Sequence, residues 1–243
     1  MRWIVPPASD TWALFLDVDG TLLDIAAEPQ LVQVSADLPP LLARLAHRYS
    51  GSLALVSGRA IADLDRLFHP LRLPTAGIHG AERRDASGAV HCAGMASDEL
   101  SPIRAELRRF AARHPGLLLE DKGRSLALHF RQAPELEEDV REVLGRALLQ
   151  LPPGSHLQPG RCVIEIKHGS ATKATAIAQF MQELPFAGRV PVFLGDDLTD
   201  QVGLEYVESQ GGHAVFVGRE RQPGRGWLPD PSAVREWLRT LAD

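Results

Sequence analysis

Acidic residues follow two short apolar runs of the chain, at positions 12–16 and 190–194. The five aspartates concerned are Asp17, Asp19, Asp196, Asp197 and Asp200. Such runs are typical of buried strands, and ligands of open parallel sheets bind beyond the carboxyl ends of the strands. Clustered carboxylates repel one another unless a cation lies among them, and an all-carboxylate ligand set favours Mg²⁺ over zinc or copper. The spacing therefore predicts a magnesium site where these strands end.

A hydroxyl and an ammonium occur at two further element ends. Ser57 follows the apolar run 52–56, and Lys173 stands near the start of a helical pattern over 171–181. Taken alone, Ser57 is ordinary turn chemistry and Lys173 an ordinary solvated helix residue. Beside a group of acids, the two side chains could instead bind the oxygens of a transferring phosphoryl group.

Strands and helices alternate in the first and last thirds of the chain. Strands are predicted at 12–16, 52–56, 74–78, 190–194 and 213–217. Helices are predicted at 38–49, 171–181, 198–207 and 232–241, and a further short helix follows Arg59 and ends at residue 67. The near-continuous apolar strands predict an α/β, Rossmann-like core, with a parallel sheet that helices cover on both faces.

The pattern between these parts is different. Helices at 101–114 and 134–151 are each followed by a pair of strands in which polar and apolar residues alternate. This order is typical of an antiparallel sheet with helices on one face. We predict an inserted α+β cap domain at 99–167, and a catalytic core formed by 1–98 and 168–243.

Composition excludes several classes of function. The 243 residues carry a formal net charge of −5, which gives no footprint for nucleic acid or an anionic membrane. The apolar runs are too short for a membrane helix, and the first ten residues do not resemble a signal peptide. Cys92 and Cys162 lack metal or disulfide spacing, so we expect reduced thiols in a cytoplasmic protein. The glycine-rich signatures of nicotinamide and ATP sites are absent.

Four motifs match the haloacid dehalogenase superfamily of phosphotransferases in order. They are the DVDGT run at 17–21, Ser57, Lys173 and the GDD run at 195–197. Finer motifs resemble the trehalose-6-phosphate phosphatase family within that superfamily. These are VSGR at 56–59, GIHGAE at 77–82, EDKG at 120–123, LALHFR at 126–131 and GDDLTD at 195–200.

The resemblance implies a role for each core motif. Asp17 would be the nucleophile that forms an aspartyl phosphate, and Asp19 would act first as acid and then as base. Ser57 and Lys173 would bind the phosphoryl oxygens. Mg²⁺ would be held directly by the side chains of Asp17 and Asp196 and by the backbone carbonyl of Asp19. Asp200 would complete the metal site without binding the ion directly.

The resemblance also implies a small-molecule sugar phosphate as substrate, with trehalose 6-phosphate as the first choice. Contacts to the sugar are assigned to Glu120, Lys122 and Glu165, and Arg161 is added to them on weaker grounds. Arg59 and His79 are further candidates for substrate binding, although His79 could simply satisfy backbone groups. We expect a monomer, and association with a trehalose-phosphate synthase stays open.

Other interpretations remain at this point. The same mechanism could act on sucrose or glucosylglycerol phosphate, or move a phosphate within a sugar, and a non-catalytic sugar-phosphate-binding module would keep the fold alone. Two positions depart from the family pattern. Gln201 stands where the family usually has Glu, which removes a negative charge near the expected metal, and Ala174 stands where Gly is common after the motif lysine.

Overall fold

A computed structural model describes residues 3–26, 31–93, 98–169 and 171–242. The chain divides into two units. Unit 1 is Met1–Cys92 with Thr172–Asp243, and unit 2 is Ala93–Ala171. The predicted insertion at 99–167 lies inside unit 2, whose bounds are a few residues wider at each end. The roles of core and cap stay predictions.

The described residues form twelve strands and seven α-helices, numbered in chain order. The strands are β1 (Trp12–Leu16), β2 (Leu53–Val56), β3 (Thr75–Gly77), β4 (Glu82–Arg84), β5 (Val90–Cys92), β6 (Leu118–Asp121), β7 (Leu126–His129), β8 (Ser155–Gly160), β9 (Val163–His168), β10 (Val190–Gly195), β11 (His213–Val217) and β12 (Gly226–Leu228). The helices are α1 (Leu38–Arg48), α2 (Ile61–Leu67), α3 (Ser101–Arg113), α4 (Glu137–Leu148), α5 (Lys173–Phe180), α6 (Gln201–Ser209) and α7 (Pro231–Ala242). None of the helices in the described ranges has the length and apolarity needed to cross a membrane.

Unit 1 contains an eight-stranded sheet with the order β12-β11-β10-β1-β2-β3-β4-β5. Every pairing from β12 to β3 is parallel. The central strand β1 has β10 on one side and β2 on the other, with Leu16 opposite Leu194 in β10 and Leu55 in β2. The three strands therefore end at nearly the same level, and the residues that follow them are brought together.

Helices pack on both faces of this sheet, because side chains alternate along each strand. Leu14 and Leu16 of β1 belong to an apolar cluster that includes buried residues of α1, α2 and α7. Ala13 and Phe15 belong to a second cluster that includes buried residues of α5 and α6. The predicted α/β fold, with a mainly parallel sheet between two helical layers, is confirmed.

The sheet extends further than the sequence predicted. Strands β4 and β5 form an antiparallel hairpin at one edge, and β12 adds a short parallel strand at the other. The sequence Glu-Arg-Arg of β4 does not read as a strand, since charged residues are depleted in sheets. Its arginines are satisfied by carboxylates: Arg83 forms a fork with Glu183, and Arg84 forms a fork with Asp65.

Unit 2 is an antiparallel sheet with the strand order β6-β7-β9-β8. One face is apolar, with Leu126 and Leu128 of β7 beside Ile164 and Ile166 of β9. These side chains join a cluster with buried residues of α3 and α4, so both helices cover this face. The opposite face carries the polar residues that alternate with these apolar ones along β7 and β9.

The central position of β1 predicts its contribution to stability. Replacing Leu14, which is fully buried in the sheet, by Ala should lower the free energy of unfolding by about 2–5 kcal/mol, since it removes apolar contacts and leaves a cavity. Urea denaturation measures the change. The matched control is Leu149→Ala, at a side chain that is 86% exposed, which should change stability by less than about 0.5 kcal/mol. Equal effects at the two positions would contradict this packing.

Candidate active site

Three neighbouring strands deliver the predicted catalytic residues to one edge of the unit 1 sheet. Asp17 follows β1, Ser57 follows β2 and Asp196 follows β10. The backbone N–H of Asp17 donates to the carbonyl of Leu194 at 3.1 Å, which extends the β1–β10 ladder to the nucleophile candidate. Asp17 and Ser57 are both buried. The sheet itself therefore fixes the spacing of these groups.

Lys173 lies between two of the acids. Its Nζ donates to Asp17 Oδ1 at 2.6 Å and to Asp200 Oδ1 at 2.5 Å, and the lysine is only 3% exposed. The lysine is the first residue of α5, where Thr172 caps the helix by accepting from the N–H of Thr175. Burial alone would lower the pKa of this amine, but the charges of Asp17 and Asp200 raise it, so Lys173 is a fixed cation.

Asp200 holds several groups in place. Its Oδ1 accepts from Lys173, while its Oδ2 accepts from the backbone N–H groups of Asp196 and Asp197, each at 3.1 Å. The residue is fully buried, and burial together with the charge of Asp17 raises its pKa well above the usual range. A Cβ on Gly195 would lie 2.5 Å from the Cβ of Asp200, so this turn is limited to glycine. Because both of its oxygens are engaged, Asp200 orients the loop and Lys173.

One oxygen of each of Asp17, Asp196 and Asp200 lies within 4.8 Å of the others. Burial raises the pKa of Asp17 to about 7, opposed by Lys173 and assisted by the other acids. Burial, Asp200 and Asp197 raise the pKa of Asp196 to about 7 as well. With Asp197 included, four carboxylates act on one another and on the ammonium of Lys173, so three negative charges would remain if all were ionised. The donor set is oxygen only and short of positive charge, which fits a hard divalent cation.

The DVDGT loop approaches Asp196 closely. Gly20 has a φ of +85°, and a Cβ at this position would lie 2.1 Å from Asp196 Oδ2. The hydroxyl of the adjacent Thr21 donates to Asp196 Oδ1 at 3.3 Å. Glycine is thus required both by the left-handed backbone and by the space that the carboxylate occupies. Sequence reasoning had not assigned a role to Thr21.

Asp19 is placed differently from the other acids. Both of its oxygens accept from Arg59, with Nε donating at 2.6 Å and Nη2 at 2.7 Å. Among the described residues, the set of side chains whose carboxylates could share one cation does not include Asp19. Arg59, predicted as a substrate contact, therefore holds the predicted acid in this structure. The backbone carbonyl of Asp19 as a metal ligand stays a prediction.

The Ser57 loop is held from inside unit 1. Ser57 Oγ accepts from the N–H of Arg59 at 3.2 Å, and its backbone N–H donates to Ala76 at 2.8 Å. His79, the other predicted substrate contact of the core, donates from its backbone N–H to the carbonyl of Ser57 at 3.0 Å. The VSGR and GIHGAE motifs singled out in the sequence thus meet through a direct hydrogen bond.

The polar face of unit 2 carries a buried group of charges around Glu165. Ser125 Oγ donates to Glu165 Oε1 at 2.5 Å, and Lys122 Nζ lies 3.4 Å from Oε2 of the same residue. Glu120 lies 3.9 Å from Lys122 and 2.8 Å from His129 Nε2. Burial opposes ionisation of Glu120, but His129 and Lys122 hold its pKa below the usual range. Three of the four predicted sugar contacts therefore form one network.

The fourth predicted sugar contact lies elsewhere. Arg161 is exposed in the turn between β8 and β9 and does not belong to the described network of Glu120, Lys122 and Glu165. The sequence analysis assigned no role to Ser125, His129 or Lys167, although Ser125 and His129 bind members of this network and the charge of Glu165 acts on Lys167. The alternation of β7 and β9 could have found them, since Ser125 and His129 flank Ala127 at spacing two, and Lys167 stands two residues after Glu165.

The side chain of Gln201 forms its hydrogen bonds with residues outside the acidic cluster. Its Nε2 donates to Glu205 at 2.5 Å, and its Oε1 accepts from Arg225 at 2.8 Å. Arg225 in turn forms a fork with Glu208. The amide is therefore engaged along α6 and by Arg225, and the departure from the family pattern at this position removes no member of the Asp17–Asp196–Asp200 group.

The fold is shared with phosphatases of the haloacid dehalogenase superfamily. A phosphatase of this superfamily from Bacteroides thetaiotaomicron superposes with a TM-score of 0.61 and 17% identity, over 98% of both chains. A crystal structure of a trehalose-6-phosphate phosphatase related protein superposes with a TM-score of 0.77 and 24% identity, over 94% of this chain and 96% of the other. At these identities the likeness shows the fold.

Sequence comparison identifies the family. The trehalose-phosphatase family matches residues 15–222, and the chain belongs to this family. It is 43% identical over 236 residues to the trehalose-6-phosphate phosphatase of Escherichia coli (strain K12), covering 97% of this chain and 88% of the relative. It is 40% identical to a probable trehalose-phosphate phosphatase of Sinorhizobium fredii, covering 96% and 88%. The family predicted from the motifs is confirmed.

The raised pKa of Asp196 predicts a dependence of stability on pH in the metal-free protein. The folded state keeps a proton on this carboxyl up to about pH 7, whereas the unfolded chain releases it near pH 4. Stability should therefore be lost as pH rises through this window. Relative to the parent, Asp196→Asn should gain on the order of 2–4 kcal/mol between pH 4 and pH 7, measured by urea denaturation with a chelator present. Exposed Asp24→Asn is the control and should show no such trend, and a constant difference for Asp196→Asn would refute the argument.

Proposed function

We propose that this chain hydrolyses trehalose 6-phosphate to trehalose and phosphate through an aspartyl-phosphate intermediate, with Mg²⁺ as cofactor. The observation that carries the proposal is the buried constellation of Asp17, Lys173, Asp196 and Asp200. It occurs in a chain that shares 43% identity over 97% of its length with a trehalose-6-phosphate phosphatase. The first element supports the chemistry, and the second supports the substrate.

Asp17 and Asp196 are the residues that would hold the metal directly, together with the backbone carbonyl of Asp19, while Asp200 would orient them from behind. When bound there, Mg²⁺ would supply positive charge that lowers the repulsion between the nucleophile and the phosphate dianion. Thr21 keeps Asp196 in position through its hydroxyl.

In the first step, a carboxylate oxygen of Asp17 attacks phosphorus and the bond from phosphorus to the sugar oxygen breaks. Asp19 gives a proton to the departing sugar oxygen, so that trehalose leaves as an alcohol. In the structure Arg59 donates to both oxygens of Asp19, so one oxygen must leave Arg59 before it can carry the proton that Asp19 gives. Lys173 and Ser57 bind the phosphoryl oxygens and orient the group for attack.

In the second step, water attacks phosphorus of the aspartyl phosphate and gives a proton to Asp19. The bond from phosphorus to the Asp17 oxygen breaks, which regenerates the carboxylate and releases phosphate. The ammonium of Lys173, fixed 2.6 Å from Asp17, stabilises the carboxylate as it leaves. Asp19 ends the cycle protonated, as it began.

We also propose that the polar face of unit 2 selects the sugar. Charged groups form strong hydrogen bonds with sugar hydroxyls, and Glu120, Lys122 and Glu165 offer two acceptors and a donor within one network. Glu165 is only 4% exposed and is fixed by Ser125. A network that is ordered before binding loses little entropy on contact with a ligand. Arg161 is retained as a more distant candidate in the β8–β9 turn.

Sucrose phosphate and glucosylglycerol phosphate remain the second candidates for substrate, since the phosphate chemistry would be the same. Trehalose 6-phosphate is favoured by the residues of the unit 2 network and by the identity to relatives named for it. We propose that the enzyme acts in the cytoplasm as a monomer. Association with a trehalose-phosphate synthase is a further proposal, which size-exclusion chromatography of the mixed proteins would test.

Phosphate release from a panel of sugar phosphates tests the function. We expect trehalose 6-phosphate to be the best substrate and Mg²⁺ removal by a chelator to abolish turnover. Asp17→Asn should lower kcat by at least about 10³-fold, because an amide cannot form the acyl phosphate. Asp24→Asn serves as the matched control. A monosaccharide phosphate as best substrate would refute the assignment of the sugar, and turnover that survives both chelator and Asp17→Asn would refute the mechanism.

Replacing one member of the unit 2 network should separate sugar recognition from phosphate chemistry. For Glu120→Gln we expect kcat/KM for trehalose 6-phosphate to fall by about 10- to 100-fold, the value of a hydrogen bond to a charged group. Turnover of p-nitrophenyl phosphate, which has no sugar, should stay within about twofold of the parent. Exposed Glu142→Gln on α4 is the matched control in the same unit. Parallel losses on both substrates would contradict a role in sugar recognition.

A further inference from the structure

The segment 77–82, which carries the GIHGAE motif, has an unusual backbone. Ile78 has a φ of +48° and His79 a φ of +53°, so two consecutive residues other than glycine occupy the left-handed region. A β-branched residue such as isoleucine rarely adopts this conformation, and strained backbone of this kind concentrates at functional sites. The reaction described above assigns no step to this segment.

The strained turn is bonded to the loop that carries Ser57 and Arg59. The N–H of Ile78 donates to the carbonyl of Arg59 at 2.9 Å, and the N–H of His79 donates to the carbonyl of Ser57 at 3.0 Å. At the end of the segment, Glu82 Oε2 accepts from the N–H of Ile61 at 3.1 Å. Two hydrogen bonds therefore tie this short segment to the loop that holds the hydroxyl of Ser57 and the partner of Asp19, and a third ties it to the start of α2.

The ring of His79 lies against Gly58. A Cβ at Gly58 would lie 2.6 Å from Nε2 and 2.7 Å from Cε1 of this ring. No positive φ forces glycine at position 58, so the ring is what excludes a side chain there.

The same segment touches the start of α5. A Cβ at Gly80, whose φ is +100°, would lie 2.6 Å from the carbonyl oxygen of Thr172. Thr172 caps the helix that begins with Lys173. Because Gly80 lies so close to Thr172, segment 77–82 is held at a short distance from Lys173, the next residue along the chain.

We propose that segment 77–82 is a bracket that positions the Ser57–Arg59 loop against the acidic site, and that His79 is a positioning residue that acts through Gly58. The proposal rests on the proposed phosphatase function, and it departs from a substrate-binding role for His79. It follows that the ring of His79 and the missing side chain of Gly58 are complementary, so that a change at one position alters what is tolerated at the other.

A double-mutant cycle on Gly58 and His79 tests this complementarity. Gly58→Ala alone should lower kcat by about 30-fold or more, because its methyl group would collide with the ring and displace Ser57. His79→Asn should lower kcat by about three- to tenfold. Asparagine is chosen because it tolerates the left-handed backbone conformation of this position. In the double variant the asparagine leaves room for the methyl group. Its kcat should return to within about threefold of His79→Asn, a strong departure from additivity.

The choice of substrate distinguishes positioning from sugar binding. Each variant is assayed with trehalose 6-phosphate and with p-nitrophenyl phosphate. A positioning role predicts equal fold-losses in kcat on both, because the phosphoryl site is disturbed. A contact between His79 and the sugar predicts a raised KM for trehalose 6-phosphate alone, and that result would overturn the proposal. Should the parent hydrolyse p-nitrophenyl phosphate and not trehalose 6-phosphate, the proposed substrate fails while the cycle on p-nitrophenyl phosphate still decides the bracket.

Gly145→Ala on α4, where a Cβ meets open space, is the matched control and should leave kcat unchanged. Additive losses in the cycle, or full kcat in His79→Asn on both substrates, would overturn the proposal. Far-ultraviolet circular dichroism establishes which variants fold. If Gly58→Ala does not fold, a folded and active double variant supports the bracket, and a double variant that is also unfolded leaves the decision to the equal or unequal losses of His79→Asn.

Discussion

The site depends on the ion pairs that the buried ammonium of Lys173 forms with Asp17 and Asp200. A carboxylate and a phosphate dianion about 3.5 Å apart would repel each other by roughly 9 kcal/mol at an effective dielectric constant near 20. Lys173 meets Asp17 and Asp200 at hydrogen-bond distance, and it is the one cation directly bonded to these acids in the part of the chain that the structure describes. One positive charge does not balance four carboxylates. Burial, assisted by the charges of neighbouring acids, raises the pKa values of Asp17 and Asp196, and a divalent cation would favour the ionised forms.

The parallel sheet makes this concentration of charge possible. Asp17 and Asp196 are far apart in the chain, but β1 and β10 are adjacent and end in register. Backbone N–H groups of the 196–197 turn then bind Asp200, which lets a fully buried carboxylate face two others. Small residues allow the loops to approach, as at Gly20 against Asp196. The acidic site therefore depends on backbone N–H groups that bind Asp200 and on a glycine that leaves space for Asp196.

The second unit uses alternation along strands for a different purpose. One face of its sheet packs on two helices, and the other keeps charged residues largely out of water through mutual pairing. Glu120 stays ionised because His129 and Lys122 bind it, although burial acts in the opposite direction. A solvated surface would not fix such groups in advance. The pre-ordered charged face supports the proposed role of unit 2 in selecting the sugar.

The sequence by itself determined the α/β class, the strand ends that carry Asp17, Ser57 and Asp196, and the family, because apolar periodicity and motif order are local properties of the chain. It did not predict the β4–β5 hairpin, whose charged residues are stabilised by carboxylates about 20 and 100 positions away. Only the tertiary structure decided that Arg59 holds Asp19, that Gln201 turns away from the acids, and that the ring of His79 occupies the space beside Gly58. Each of these depends on how closely side chains from separate segments approach, and spacing along a sequence does not encode that distance.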